Sequence, residues 1–323
     1  MLRIIFLGTG GSMPTEGRNL PAFAVEFGGW VLLFDNGEDI QRQMGRAGIG
    51  LNKRMCVFIT HMHADHVLGL PGLLFRLSLL GRTRPLSIFG PEGLIEYVKM
   101  NQQTINLGTT FEATVYGIKS GPIFSAEDLS VDAFEVDHPG IAFGFTVVHQ
   151  RPTGKFLPEK ALELGVPRGP LWKALASGGS VKLDDGRHVT PQEVTGPRSR
   201  AFKVVYSGDT RPCQTLRDAA KGADLMICEA MFTSDDAGIA HERGHMTAAL
   251  AAEIALQANV RLLALTHYSP RYGDGSTILD EASAVFPRTI LARDLMRIEL
   301  GNTGDPVVVA YGEGTPTGRV ELP

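Results

Sequence analysis

The fold of this chain is decided by a run of seven residues: Thr60, His61, Met62, His63, Ala64, Asp65 and His66. Three imidazoles and a carboxylate in so short a run offer more nitrogen and oxygen donors than one tetrahedral zinc ion can use. The spacing therefore predicts a two-metal site with open coordination positions, which is typical of a catalytic centre.

The residues on either side of this run place it in the fold. Residues 55–60 are apolar and rich in strand-forming side chains, and residues 67–80 are long enough for a helix. The donors are therefore predicted on a turn at the carboxyl end of a strand, where α/β sheets place their active sites.

Other polar residues stand at the ends of strand-like runs elsewhere in the chain. They are Asp35, His138, Asp209, Glu229 and His267, while His245 directly precedes an alanine-rich helix. Polar groups placed repeatedly at strand ends are what a shared metal cleft requires. The glycine-rich stretch at residues 8–11 has no helix after it, so we interpret it as a tight turn and expect no nucleotide cofactor.

The composition is that of an ordinary globular protein, with 43% hydrophobic residues and a formal net charge of −4. The longest nearly apolar run, residues 67–80, is too short to span a bilayer, and no charged start is followed by an apolar segment. The cysteines at 56, 213 and 228 form no C-x-x-C pair and suit a reduced thiol set. We therefore expect a cytoplasmic protein with no membrane partner.

A segment from residue 151 to residue 203 breaks the pattern of alternating strands and helices. It is rich in glycine, proline, lysine and arginine, and we interpret it as a protruding, loop-rich insertion. Ten basic and five acidic residues give it a charge of +5, so the rest of the chain carries −9 to reach the total of −4. This asymmetry is typical of an arm that grips a phosphate backbone, although many charged segments are only solvated surface.

These motifs resemble those of the metallo-β-lactamase-fold hydrolases, and more narrowly those of short-form ribonuclease Z, which trims the 3′ trailer from precursor tRNA. The H-x-H-x-D-H run defines only the superfamily. Residues 14–19 resemble the family's P-x-K-x-R-N loop, residues 164–170 with 181–186 resemble its exosite arm, and residues 265–272 resemble its fifth metal motif. Glu229 and His245 match positions in its H-E-A-T and H-S-T motifs.

The chain departs from these family motifs at four positions, which are Glu16, Cys228, Met231 and Met246. Glu16 stands where the P-x-K-x-R-N loop has lysine, which leaves open how transcripts with an encoded CCA end are treated. The other three changes leave Glu229 and His245 in place, so the inferred proton-transfer pair is intact.

The resemblance implies a metallo-β-lactamase αββα sandwich over residues 1–323. Residues 151–203 would be inserted in it as a flexible basic exosite arm and not as an independent domain. It also implies two Zn²⁺ ions per subunit, one held by His61, His63 and His138, the other by Asp65, His66 and His267, with Asp209 bridging them. Such an ion pair can lower the pKa of a bound water toward ~7.

Roles for the remaining residues follow from the same resemblance. Asp65 would orient the attacking water, and His245, aligned by Glu229, would protonate the leaving 3′ oxygen, although a histidine before a helix can also be merely structural. Asp35 would orient ligands. The residues expected to contact substrate are Arg18, Asn19, Gly165, Pro167, Gly169, Pro170, Ser269 and Arg271. For Arg271 the alternative is a plain solvated arginine.

The implied partner is precursor tRNA, bound by a homodimer in which the arm of one subunit holds the tRNA that the other cuts. Leucines at 70, 73, 74, 77 and 80 could supply the interface, or could belong to an ordinary core helix. Two other functions remain open. One is a binuclear zinc phosphodiesterase or sulfatase for small molecules, which would not need the basic insertion; the other is a non-catalytic RNA-binding module.

Overall fold

Stacked aromatic rings lie between two β-sheets at the centre of the protein. In the computed structural model, which describes residues 2–150, 153–197, 201–301, 306–312 and 315–320, Phe34 and Phe58 of one sheet stack with ring centroids 4.9 Å apart. Phe145 of the other sheet packs on both of them, at 5.6 Å and 5.8 Å. The sheets therefore pack face to face through a dry aromatic layer.

The described residues form eighteen strands. In chain order they are β1 (Leu2–Gly8), β2 (Ala22–Phe27), β3 (Trp30–Phe34), β4 (Arg54–Phe58), β5 (Leu86–Gly90), β6 (Ala113–Gly117), β7 (Gly121–Ala126), β8 (Leu129–Glu135), β9 (Phe143–His149), β10 (Val181–Lys182), β11 (His188–Val189), β12 (Phe202–Tyr206), β13 (Leu225–Glu229), β14 (Leu263–Thr266), β15 (Thr289–Leu291), β16 (Arg297–Leu300), β17 (Val307–Gly312) and β18 (Thr315–Val320).

Ten α-helices occur in the same described residues. They are α1 (Ile40–Arg46), α2 (Ala64–Val67), α3 (Gly69–Leu79), α4 (Gly93–Thr104), α5 (Pro158–Glu163), α6 (Pro170–Ala176), α7 (Gln214–Ala220), α8 (Ala237–Arg243), α9 (Ala248–Gln257) and α10 (Ser276–Val285).

Strand order brings the polar strand ends together. The first sheet runs β18-β17-β16-β1-β2-β3-β4-β5-β6, and β3 to β6 are parallel, with Phe34 opposite Phe58. The second sheet runs β15-β14-β13-β12-β9-β8-β7, and β12 to β15 are parallel, with Glu229 opposite Thr266. In each sheet the residues that follow parallel strands therefore emerge at one edge.

A helical layer covers the outer face of each sheet. Leu70, Leu73, Leu74 and Leu77 of α3 are fully buried in one hydrophobic core with α1, α4 and the first sheet. The second core joins α7, α9 and α10 to the second sheet. The predicted αββα sandwich is confirmed. The four leucines cannot form a dimer interface because they are already packed in the core.

The helix predicted at residues 67–80 is observed as α3, and the short helix α2 precedes it. The break between them falls at Leu68, and the amide of the next residue, Gly69, donates to the carbonyl of Asn36 at 2.8 Å. A side chain at Gly69 would come within 2.0 Å of the carbonyl oxygen of Gly37, so only glycine allows this approach. Strand β7 and the last four strands, β15 to β18, were not predicted from the sequence.

The chain separates into two compact units. The first contains residues 1–124, 131–147 and 203–323, and the second contains residues 125–130 and 148–202. The second unit is more ordered than its glycine and proline content predicts, because α5, α6 and the β10–β11 hairpin enclose a small apolar core that includes Ala161, Val166, Leu175, Val189 and Val194. The predicted boundary residue Arg151 lies outside the described residues, as do Arg198 and Arg200.

Among the residues that the structure describes, no helix is long and apolar enough to cross a membrane.

Candidate metal centre

Three histidines converge at the end of β4. His61 and His63 follow this strand, and His138 comes from the segment between β8 and β9. Nδ1 of His63 lies 2.9 Å from Nε2 of His61 and 3.1 Å from Nε2 of His138. The structure thus brings together the first predicted ligand group.

A second group lies directly beside the first. Nε2 of His267, in the turn after β14, is 3.3 Å from Oδ2 of Asp65 and 3.3 Å from Nε2 of His66. Oδ2 of Asp209 is 3.4 Å from Nε2 of both His66 and His267, and 3.8 Å from Nε2 of His61. Asp209 therefore stands between the two groups, where a bridging carboxylate is expected.

Buried hydrogen bonds orient these imidazoles. Oδ2 of Asp35 is 2.8 Å from Nδ1 of His66, and Oδ1 of Asp35 accepts the amide of Thr60 at 2.8 Å. The Thr60 hydroxyl lies 2.9 Å from Nδ1 of His61. With Nδ1 engaged in this way, Nε2 of His61 and Nε2 of His66 face the centre, which is how ligating histidines are held in metalloproteins.

Tyr206, which was not predicted from the sequence, also belongs to this network. Its hydroxyl is buried at the end of β12 and donates to Oδ2 of Asp35 at 2.7 Å. Burial, together with the nearby charge of Asp35, raises the pKa of the Tyr206 phenol well above its usual range, so it stays a donor. An apolar strand ending in tyrosine just before Gly208 and Asp209 was the available signal.

The electrostatics of the site favour anionic carboxylates. Burial alone would raise the pKa of Asp209, but the charges of His267 and His66 outweigh it and hold that pKa well below its usual range. The pKa of Asp65 is also lowered, because the hydrogen bond with His267 and the charge of His66 overcome burial. Burial lowers the pKa of the His61 imidazole, which keeps it neutral and able to donate a lone pair.

Metal ions fit this set of donors. Two groups, His61–His63–His138 and Asp65–His66–His267, each place their donor atoms within 4.8 Å of one another. Nε2 of His66 and Nε2 of His267 face each other at 3.3 Å across the Asp209 carboxylate, an arrangement that one shared cation satisfies better than separate protons. A third combination, Asp209 with His245 and His267, has similar spacing.

His245 and Glu229 form a pair at the rim of the metal groups. Nδ1 of His245 is 2.9 Å from Oε1 of Glu229, and the His245 ring lies 5.7 Å from that of His267. Glu229 is buried at the end of β13. Burial works against a charged imidazole, but attraction and hydrogen bonding to Glu229 raise the pKa of His245 to about 9. His245 is therefore protonated at neutral pH.

The glycine-rich stretch and the loop after it pack on the metal groups. The amide of Ser12 donates to Oδ2 of Asp65 at 2.9 Å. A side chain at Gly11 would lie 3.2 Å from Nδ1 of His267, so the backbone passes close to this ligand. No helix follows the stretch, but it is not the tight turn that was predicted, because Gly8 ends β1, Gly10 forms a bridge with Tyr268, and β2 begins only at Ala22.

Arg18 and Asn19 in this loop contact the protein itself. The Arg18 guanidinium lies 3.3 Å from the centre of the Tyr268 ring and donates to the Tyr268 carbonyl at 2.7 Å. The side-chain and backbone N–H groups of Asn19 donate to Oδ2 of Asp294, at 2.7 Å and 2.8 Å. Asp294, which the sequence analysis did not single out, anchors the loop. Substrate contact by Arg18 and Asn19 remains a prediction.

Ser269 and Arg271 lie in the turn after His267. The Arg271 guanidinium donates to Oδ2 of Asp236 at 3.0 Å and sits 5.3 Å from the centre of the Phe232 ring. The Ser269 hydroxyl accepts the amide of Arg271 at 3.4 Å. Because Arg271 already has an anionic partner, a substrate phosphate would have to compete with Asp236.

The other predicted substrate contacts lie in the second unit. Gly165 and Pro167 line a surface cavity of about 290 Å³ together with Leu171, Lys182, Leu183, Asp184 and Asp185. Gly169 has a φ of 137°, and Pro170 begins α6. Residues 153–197 contain six basic and five acidic side chains, so most of the +5 charge comes from the ends of the segment.

The fold and the paired ligand groups define a protein of the metallo-β-lactamase superfamily. Residues 171–268 match the family model of the beta-lactamase superfamily domain, and residues 2–146 match the model of the anti-Pycsar protein Apyc1. Human tRNase Z, short form, superposes with a TM-score of 0.67 at 24% identity, over 93% of this chain and 99% of that one. The metallo-beta-lactamase fold protein YhfI from Bacillus subtilis gives a TM-score of 0.66 at 19% identity, over 92% of this chain and 98% of that one.

Two relatives show which family of this superfamily the chain resembles. The ribonuclease Z of Methanosarcina mazei is 42% identical over 301 residues, covering 93% of this chain and 98% of that protein. The ribonuclease Z of Gemmatimonas aurantiaca is 44% identical over 308 residues, covering 94% and 97%. The chain belongs to the ribonuclease Z family.

Proposed function

We propose that this protein is a zinc-dependent endoribonuclease that removes the 3′ trailer from precursor tRNA. It would hydrolyse the phosphodiester bond 3′ of the discriminator base and leave a 3′-hydroxyl on the tRNA. The observation that carries the proposal is the end-to-end match to ribonucleases Z, combined with six side chains in two ligand groups and Asp209 between the groups.

The donor set supports zinc and a count of two. Imidazole nitrogens with carboxylate oxygens suit Zn²⁺, and three protein ligands for each ion leave positions for water and substrate. His61, His63 and His138 would hold one ion, Asp65, His66 and His267 the other, with Asp209 between them. When bound, the two ions would acidify a water toward neutral pH and neutralise negative charge on the phosphate.

Asp65 is placed to orient the attacking water. Its Oδ2 accepts the amide of Ser12 at 2.9 Å, and the lowered pKa keeps the carboxylate anionic. The Asp65 carboxylate would therefore bind a metal ion and orient the water at the same time. The loop that begins at Ser12 would hold the 3′ end of the substrate against the same residue.

His245 supplies the proton that the leaving oxygen needs. Its pKa of about 9 makes it an acid that is loaded at neutral pH, and Glu229 fixes Nδ1 so that Nε2 is free for transfer. A ribose 3′ oxygen is a poor leaving group, so its departure depends on this proton. The spacing of His245 to Asp209 and His267 also permits a role as ligand, and metal analysis separates the two.

Binding and assembly extend the proposal. The second unit, with Gly165, Pro167, Gly169 and Pro170, would act as an exosite for the tRNA body, and the protein would work as a cytoplasmic homodimer. The helix α3 keeps four apolar side chains exposed, namely Leu68 at its amino-terminal cap, Phe75, Leu79 and Leu80 beyond its end. This face, and not the buried leucine set, is the candidate interface.

A binuclear zinc phosphodiesterase for small molecules is the second candidate, because such an activity would need the two ligand groups but not the second unit. A single assay compares the two candidates. The zinc-loaded protein is incubated with a 3′-extended tRNA transcript and, separately, with bis(p-nitrophenyl) phosphate. We expect one cut after the discriminator base with a 3′-hydroxyl product. Turnover of the small ester with an intact transcript would overturn the endoribonuclease assignment.

A further inference from the structure

Arg211 joins three segments of the chain at the rim of the metal centre. Its Nε donates to the carbonyl of His241 at 2.6 Å, and its Nη2 donates to the carbonyl of Glu242 at 3.4 Å. Its Nη1 donates to Oδ1 of Asp137 at 3.0 Å. The guanidinium group of Arg211 therefore links its own segment to two others, one that contains Asp137 and one that contains His241 and Glu242.

Each of these segments carries a residue of the site. Arg211 follows Asp209 by two positions, Asp137 directly precedes His138, and His241 with Glu242 lies at the end of α8, just before His245. A backbone hydrogen bond from the amide of Arg211 to the carbonyl of Asp137, at 2.8 Å, strengthens the first junction. At the second junction, to the segment before His245, both hydrogen bonds from Arg211 come from its side chain.

The turn between α8 and His245 is tightly packed. Gly244 has a φ of 82°, and a side chain there would come within 2.4 Å of Cδ of Pro139. The carbonyl of Gly244 pairs with Nδ1 of His138 at 2.8 Å. Any shift of the end of α8 is therefore passed directly to both His138 and His245.

The residue before Arg211 approaches His245 from the other side. The amide of Thr210 donates to Oε1 of Glu229 at 2.7 Å, and the same oxygen pairs with Nδ1 of His245 at 2.9 Å. Thr210 and Arg211 thus bracket His245, one through Glu229 and the other through the end of α8.

Arginine is the side chain that this position requires. The last carbonyls of a helix have no donor within the helix and carry negative partial charge, which a cation stabilises. A planar guanidinium can serve two carbonyls and a carboxylate at once, whereas a lysine ammonium acts as a point charge.

We propose that Arg211 is a positioning residue for proton transfer. It holds the end of α8 against the segments of Asp209 and His138, so that the His245 imidazole stays within reach of the leaving oxygen. This inference rests on the proposed function, in which His245 is the general acid. A test must therefore separate loss of the acid from loss of the metal centre.

Two substrates distinguish loss of the acid from loss of the metal centre. p-Nitrophenolate leaves as a stable anion and needs no proton, whereas the ribose oxygen must be protonated as it leaves. For Arg211→Ala we expect kcat on precursor tRNA to fall about 10- to 100-fold, with KM within about threefold of wild type. Hydrolysis of bis(p-nitrophenyl) phosphate and the zinc content should stay close to wild type. His245→Ala is the reference for full loss of the acid, and Arg217→Ala, which removes a partly buried arginine paired with Gln257, is the matched control.

Two further measurements use the whole protein, and the first of them does not depend on the RNA substrate. Amide hydrogen exchange should become faster at residues 240–246 in Arg211→Ala, and Arg211→Lys should give a smaller change because it keeps the charge. Added guanidinium at millimolar concentration should restore part of the lost kcat, and methylammonium should restore less.

Other results would overturn the inference. Equal losses on both substrates, or loss of zinc, would mean that Arg211 supports the site as a whole. A raised KM with unchanged kcat would make it an RNA contact, and unchanged exchange at residues 240–246 would remove the positioning role. If His245→Ala also fails to distinguish the two substrates, the general-acid assignment fails, and the exchange result alone decides the role of Arg211.

Discussion

At the scale of single residues, the site is built from ligands and from the side chains that aim them. Asp35 is not predicted to bind a metal ion itself. It hydrogen-bonds to His66 and, through Thr60, fixes the position of His61. Asp65 combines two tasks, because it faces His267 and also accepts the amide of Ser12. The residues with two tasks are the most informative to replace.

Asp65→Ala should abolish RNA cleavage, because the change removes a ligand and the group that orients the water. We expect kcat to fall more than about 100-fold and the zinc content to drop from two to one per chain, while circular dichroism remains that of the wild type. Asp280→Ala, at an exposed position of α10, is the control. Turnover within about tenfold of wild type would contradict the assignment.

Glu229→Gln tests the origin of the raised pKa of His245. A general acid is active only while protonated, so activity is lost as pH rises through its pKa. Removing the Glu229 charge should lower the pKa of His245 from about 9, and the alkaline limb of kcat against pH should move down by about one unit or more. Glu253→Gln, exposed on α9, should leave the profile in place. An unmoved limb would show that Glu229 does not set this pKa.

At the scale of elements, the second unit has its own core and closely spaced ends. The amide of Leu157 donates to the carbonyl of Val194, and the amide of Gly196 donates to the carbonyl of Lys155, both at 2.8 Å. The chain therefore enters and leaves this element side by side. Residues 158–193 can be removed by joining Leu157 to Val194 without stretching the backbone between them.

That deletion should raise KM for precursor tRNA at least about tenfold and leave kcat nearly unchanged, since the lost contacts are equally strong in ground and transition states. Hydrolysis of bis(p-nitrophenyl) phosphate should not change. The removed segment holds five basic and five acidic residues, so its net charge is zero. Binding of tRNA should become less dependent on salt only through the basic side chains that contact phosphates. Equal losses on both substrates would mean that the element supports the fold, and the exosite role would be dropped.

At the scale of the whole molecule, the open question is assembly. Leu68, Phe75 and Leu79 are spaced seven and four residues apart, so they lie on one side of the α3 segment, and each side chain is more than half exposed. An apolar strip of this kind is typical of a surface that meets another protein.

We expect a dimer in sedimentation velocity at micromolar concentration. Leu79→Glu should shift the protein toward monomer and reduce cleavage of precursor tRNA, because the exosite of one subunit would no longer serve the other. Leu256→Glu, at a similarly exposed leucine of α9, is the matched control. A wild-type monomer with full activity on precursor tRNA would rule the dimer out.

Part of this architecture can be predicted from short stretches of the sequence. The donors at residues 61–66 lie within six consecutive positions, so their spacing alone limits where they can point. The segments before Asp35, Asp209 and His267 are short apolar runs, which predict buried strands. The identity of the polar strand ends followed from these patterns, whereas the αββα sandwich followed from the resemblance of the motifs to a known family.

Contacts between distant parts of the chain could come only from the tertiary structure. Arg18 meets Tyr268 across 250 residues, Asn19 meets Asp294 across 275, and Tyr206 meets Asp35 across 171. No local pattern encodes such pairs, because each depends on how two sheets stack and not on the propensity of either segment. For the same reason the leucines of α3 could not be assigned to core or interface until the packing of α1 and α4 around them was known.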